Sequence, residues 1–89
     1  MKLVFDPAKD AANVEKHGVS LERATDMDIA LVIEDDRLDY GETRYRAFGF
    51  IEEKAYCLVF VIRGDAIRAI SLRRASEKEI ERHERTKEA

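Results

Sequence analysis

Tryptophan is absent from this chain, and cysteine and proline each occur once. A single thiol can close no disulfide within the chain and builds no zinc site, and Cys57, set in an apolar run, reads as a small buried hydrophobe. Long apolar stretches are missing as well. Leu3-Val4-Phe5 is cut off by Asp6-Pro7, far short of a signal-peptide core, and no run approaches the roughly 20 residues of a membrane span. The cytoplasm is therefore the expected location, with neither a membrane partner nor a cofactor expected.

Charge is abundant, at 39% of residues, with 16 basic and 19 acidic side chains and a net charge of −3. An acidic balance argues against a protein that coats nucleic acid through overall charge. The distribution is uneven. Residues 1–42 carry 5 basic and 11 acidic side chains, whereas residues 43–75 carry 7 basic and 3 acidic. A locally basic sheet thus fits inside an acidic protein. With 89 residues and 45% apolar composition, one domain spanning residues 1–89 with a single modest core is expected.

Along the chain, Lys2 to Phe5 reads as a short strand. Asp6 caps a helix with Pro7 in its first position, Ala8, Ala11, Ala12 and Val14 line one side of it, and Gly18 ends it just after Lys16-His17. Ser20 caps a second helix over Leu21 to Met27, with Val19 and Ala24 as a staple pair. Ile29 to Ile33 is a β-branched strand, and Glu34-Asp35-Asp36 followed by Asp39-Tyr40-Gly41-Glu42 is an exposed turn whose spacing matches no metal loop. Thr43 to Ile51 puts Arg44, Arg46, Phe48 and Phe50 on one face. The uninterrupted apolar run Ala55 to Ile62 marks the central strand, and Gly64-Asp65 makes a hairpin to the next.

That next strand, Arg68 to Arg74, runs straight into a helix start in which Ser76 and Glu79 fit a reciprocal capping box, with Ala75 and Ile80 as staple. Strict alternation places Arg68, Ile70, Leu72 and Arg74 on one face and Ala69, Ser71 and Arg73 on the other. The final helix has Ile80 as its clear apolar anchor and buries little, so it is expected across a sheet edge or against a partner.

Phe5-Asp6-Pro7-Ala8-Lys9, Asn13 with Lys16-His17-Gly18-Val19, Gly41-Glu42 with Arg44, Gly49, and Ile70-Ser71-Leu72-Arg73-Arg74-Ala75 ahead of Glu79 form an ordered set. In that order the chain resembles the BrnT family of type II toxin-antitoxin toxins over essentially its whole length. The resemblance implies an α+β fold, a small, mainly antiparallel twisted sheet with two N-terminal helices packed on it and a C-terminal helix, RelE-like and barnase-like. It also implies a ribonuclease toxin that inhibits translation and growth. The implied partner is a cognate BrnA-like antitoxin with a DNA-binding domain, held in a toxin-antitoxin hetero-oligomer. Val61 stands where the family commonly has threonine, Phe5 replaces a frequent tryptophan, and the final helix lacks a frequent aromatic near His83.

Cleavage of an RNA substrate without metal needs a base near the ribose 2′-OH, an acid near the leaving 5′ oxygen, and cations around the phosphate. The expected catalytic set is His17, Arg44 and Arg73, with Lys16, Arg46, Arg63 and Arg74 binding RNA phosphates and no metal site. Arginine suits this role because its fork bonds two phosphate oxygens at once. Since Arg73 and Arg74 face opposite ways, Arg73 is expected at the scissile phosphate and Arg74 in backbone steering or antitoxin contact. His83, on a charged and solvated helix, is the weaker histidine. A noncatalytic toxin-like module that only binds an antitoxin is the alternative reading.

Overall fold

The computed structural model describes residues 2–39 and 41–88, with side chains through Arg85. Tyr40, in the expected turn, lies outside the described residues. The elements are β1 (Lys2–Val4), α1 (Pro7–His17), a 3₁₀ helix (Leu21–Asp26), β2 (Asp28–Asp35), β3 (Arg44–Ile51), β4 (Lys54–Arg63), β5 (Ala66–Arg74) and α2 (Glu77–Glu88). One sheet runs in the order β1-β5-β4-β3-β2, antiparallel except for β1 beside β5. This is the expected α+β arrangement, with the apolar β4 at its centre. No described helix is long and apolar enough to cross a membrane.

One face of the sheet buries Leu58 and Phe60 of β4, Ala47 and Ile51 of β3, and Ala69 and Leu72 of β5 against Leu21 of the 3₁₀ helix, with Val19 and Ala24 packed alongside. The other buries Leu31, Phe48, Ala55 and Cys57 against Ile80. α2 therefore lies over a sheet face, not across an edge as its sparse apolar content implied. One isoleucine and a half-buried histidine suffice because the neighbouring sheet residues are small or flat. Cys57 is fully buried, and that burial pushes its thiol pKa above the ordinary 9.0.

Local chemistry sets the helix ends. Asp6 Oδ1 accepts the Ala8 N–H at 2.9 Å, and Gly18, at φ 73°, donates its N–H to Val14 O at 2.8 Å. The second helix forms as a 3₁₀ turn, with i→i+3 bonds such as Arg23 N–H to Ser20 O at 3.1 Å. Six residues with an incomplete capping box do not sustain an α-helix, and Asp10 holds the segment instead, accepting from Ser20 Oγ and the Leu21 N–H. At α2, Ser76 Oγ accepts the Glu79 N–H at 3.1 Å, but the Glu79 carboxylate binds Arg73. The reciprocal half of the capping box is thereby given to an ion pair.

α1 corrects the expected packing most clearly. Its alanine side is exposed, Val14 is 45% exposed, and its one buried residue is Asn13. Beyond its pairing with β1, the outer edge of β5 is taken by this amide. Asn13 Oδ1 accepts the Leu72 N–H at 3.0 Å, and Asn13 Nδ2 donates to Leu72 O and Val19 O, both at 2.8 Å. The side chain thus substitutes for a neighbouring strand, and α1 lies along the sheet edge instead of on a face.

Gly49 is required by contact. A Cβ there would stand 2.2 Å from Asp28 O, where β2 bulges against β3 between Ile29 and Leu31. Between β3 and β4 the two-residue turn Glu52-Glu53 has φ of 49° and 68°, the left-handed pair of a type I′ hairpin, occupied by residues that adopt it at a cost.

Two stability outcomes follow from these contacts. Asn13→Ala leaves buried backbone groups of Leu72 without partners and is expected to cost about 2–4 kcal/mol in denaturant unfolding. Glu52→Asn combined with Glu53→Gly is expected to raise the unfolding midpoint by about 1–2 kcal/mol equivalent, with an unchanged denaturant slope.

Candidate functional site

Five arginines of β3, β4 and β5 reach the α2 side of the sheet. Arg44 and Arg46 share the Phe48 side of β3; Phe48 pairs with Cys57, and Cys57 with Arg73, while Arg63 follows Cys57, Val59 and Val61 along β4. Arg68 joins them through a bulge. Val59 pairs with Ser71 but Phe60 with Ala69, so Ile70 is an extra residue and Arg68 falls opposite Val61. Uniform alternation assigned Arg68 to the face away from Arg73; the bulge reverses that.

α2 covers only the Phe48–Cys57 end of this face. The uncovered end forms a cavity of about 280 Å³ lined by Lys9, Glu42, Arg44, Val61, Arg63, Arg68 and Ile70. A groove of about 180 Å³ runs between α1 and β5, lined by Lys9, Ala12, Asn13, Lys16, His17, Ile70 and Ser71. The two share Lys9 and Ile70, so the histidine groove adjoins the arginine cavity. Ser71 in the groove wall lies on the Arg73 side of the sheet. At the cavity rim Arg63 Nη2 donates to Glu42 Oε1 at 3.0 Å and Oε2 at 3.1 Å.

Arg44 and Arg63 are thus brought together, with Lys16 and His17 next door, while the other expected residues stand apart. Arg73 lines neither cavity. Its guanidinium is paired with Glu79, Nη2 to Oε2 at 3.2 Å, and Nη1 donates to Arg74 O at 3.0 Å, which ties the end of β5 to the start of α2. Arg74 points to the opposite face as alternation requires, lying 5.5 Å over the Tyr56 ring with Nε donating to Ala55 O at 3.3 Å. Lys9, Arg68 and Glu42 line the cavity but are not in the expected site set, although Lys9 and Glu42 belong to the residues that carry the family resemblance. Glycine and acids mark the Glu42 loop as a turn and the resemblance adds no role to Glu42, while the signal for Arg68, a bulge, leaves no composition mark.

Arg46 belongs to a third cavity, of about 500 Å³, lined by Val32, Ile33, Glu34, Asp36, Arg46, Arg82 and His83. His83 is not solvated as expected from its charged helix. Its ring stacks on Phe48, centroids 4.9 Å apart, and burial, aided by the charges of Arg46 and Arg82, lowers its pKa below the ordinary 6.5. Asp35, expected in a solvated turn, is buried. Arg37 clasps it at 2.7 and 2.8 Å, with Arg46 Nε 3.9 Å away. Among the described residues no three His, Cys, Asp or Glu side chains gather to hold a metal ion.

The concave surface on this small α+β domain gathers Lys9, Arg44, Arg63 and Arg68 with Glu42, a local excess of positive charge of the kind that attracts polyanions. The family model for the ribonuclease toxin BrnT of type II toxin-antitoxin systems matches residues 5–79. The chain belongs to that family, a family of ribonuclease toxins. No match was found among curated proteins.

The Arg37 hydrogen bonds, the largest effect, hold the Asp35 carboxyl at about 2, below the ordinary 3.8 and against the opposing effect of burial. The Asp35 contribution to stability is therefore complete above about pH 4 and is lost as pH falls from there toward 2. Asp35→Asn is expected to cost about 2 kcal/mol at neutral pH and to flatten this part of the acid-unfolding curve followed by circular dichroism.

Proposed function

We propose that this chain is an endoribonuclease toxin of RelE-like architecture that cuts RNA by metal-independent attack of a ribose 2′-OH on the adjoining phosphate. The observation that carries this reading is the single cavity in which Lys9, Arg44, Arg63 and Arg68 surround a space of about 280 Å³ beside the His17 groove. Four cations on two sides of one space balance the charge that builds on a phosphate as the pentacoordinate transition state forms. Arg44 and Arg63 hold the scissile phosphate in this reading, Arg68 and Lys9 the neighbouring charge, and His17 exchanges a proton with the ribose or leaving-group oxygen. Lys16 continues the cationic track along α1 for the next phosphate. Arg73, committed to Glu79, keeps the wall in place, and Arg46 and Arg74 serve at most remote phosphates or the antitoxin.

Growth inhibition follows from loss of RNA, and a cognate antitoxin neutralises the toxin in a hetero-oligomer by covering the arginine face with an acidic or apolar segment. Complementary charge supports that docking, since the cavity gathers four cations beside one carboxylate in an otherwise acidic chain.

Purified protein incubated with structured RNA at low salt tests the reading, because phosphate contacts weaken steeply with added counterions. Cleavage is expected with or without EDTA, leaving 2′,3′-cyclic phosphate and 5′-hydroxyl ends. Arg44→Ala is expected to slow cleavage by about 10²–10³. Intact RNA under these conditions favours the noncatalytic antitoxin-binding module instead, and cleavage abolished by EDTA overturns the metal-free mechanism.

A further inference from the structure

Building on the ribonuclease reading, we propose that Glu42 is the general base that takes the 2′-OH proton. Among the residues lining the arginine cavity, Glu42 is the one carboxylate, placed with Lys9, Arg44, Arg63 and Arg68 around the same space. The loop before β3 brings it there: Arg44 opens the strand, and Glu42 stands two residues earlier, past exposed Thr43. Arg63, from the neighbouring strand, fixes the carboxylate over the cavity at 3.0 and 3.1 Å. Both contacts use Nη2, and Nε and Nη1 take no part in them.

That geometry suits exchange of partners on substrate binding. A phosphate entering among the four cations competes with the carboxylate for Arg63, whose planar fork prefers two oxygens in bidentate array. Released from Nη2, a carboxylate oxygen of Glu42 accepts the proton of the 2′-OH as the 2′ oxygen bonds to phosphorus. The P–O5′ bond then breaks, and the 5′ oxygen takes a proton from the cationic imidazole of His17, whose groove adjoins the cavity at Lys9 and Ile70. One proton is gained by Glu42 and one lost by His17, and the products are a 2′,3′-cyclic phosphate and a 5′-hydroxyl. Division of labour between a carboxylate and a histidine leaves the arginines free for charge.

The experiment compares parent, Glu42→Gln and Glu42→Asp in single-turnover cleavage of an RNA hairpin, with affinity measured on the same hairpin carrying 2′-deoxyribose throughout. Glu42 is exposed, so all three are expected to melt at similar temperatures, which circular dichroism checks. Glu42→Gln is expected to lose at least about 100-fold in rate, to bind the deoxy hairpin as tightly as the parent or more tightly, and to lose the acidic limb of the pH–rate profile. Glu42→Asp is expected to retain part of the rate with that limb present. A Glu42→Gln protein that cleaves within threefold of the parent, or faster, overturns the proposal; the faster result makes the carboxylate a plug on the phosphate site. Equal losses of rate and affinity also overturn it, in favour of a role in holding the cavity open. A parent that leaves RNA intact overturns the ribonuclease reading, and the Glu42 assignment with it, whereas a cleaving parent beside an unimpaired Glu42→Gln variant defeats this proposal alone.

Discussion

The Asn13 amide bonded to both backbone groups of Leu72 is the contact on which the rest of the arrangement depends. A strand edge left bare at β5 invites another chain, and a helix laid along it normally leaves those backbone groups unpaired. One side chain that both donates and accepts resolves both problems and fixes the height of α1 along the strand. Lys9, Lys16 and His17 occupy the wall of the groove because Asn13, one turn from each of Lys9 and His17, is pinned. The Asn13 amide also holds Val19 O, and Asp10 ties the helix to Ser20 and Leu21, so α1 and the 3₁₀ helix are tied to each other and to the sheet edge.

The second constraint is how little of the arginine face α2 covers. Its apolar content extends to Ile80 and the flat side of His83, enough for Phe48, Leu31, Ala55 and Cys57 and no farther. Bringing Arg44, Arg63 and Arg68 under a helix would desolvate three guanidinium groups at a cost that no described apolar contact offsets. Left beside Val61 and Ile70, they line an open cavity. Arg73, nearest α2, is paired with a carboxylate of that helix, Glu79, and this pairing marks the border between the structural and the open halves of the face.

Much of this architecture was readable in advance. Asp6-Pro7 and Gly18 bounded α1 because capping chemistry is local, and the apolar run of β4 declared itself central because only a strand covered on both sides tolerates it. The opposite directions of Arg73 and Arg74 followed from strand geometry alone. Other features escaped for identifiable reasons. One inserted residue, Ile70, shifts the alternation of β5 and carries Arg68 across the sheet, and no residue type announces a bulge. His83 looked solvated because its helix neighbours are charged, yet its own side meets Phe48. Asp35 read as part of a solvated turn, although Arg37 and Arg46 bury and pair it.

Residue chemistry, without coordinates, settled the caps of α1, the central place of β4, the faces of most strands, the basic bias of residues 43–75, and the membership that the match over residues 5–79 shows. Those properties depend on neighbours within a few positions or on the ordered pattern of the chain. Which cations share one space was decided by the tertiary structure. That outcome depends on a bulge in β5, on the edge position of α1, and on where α2 stops, and each is set by contacts between residues tens of positions apart.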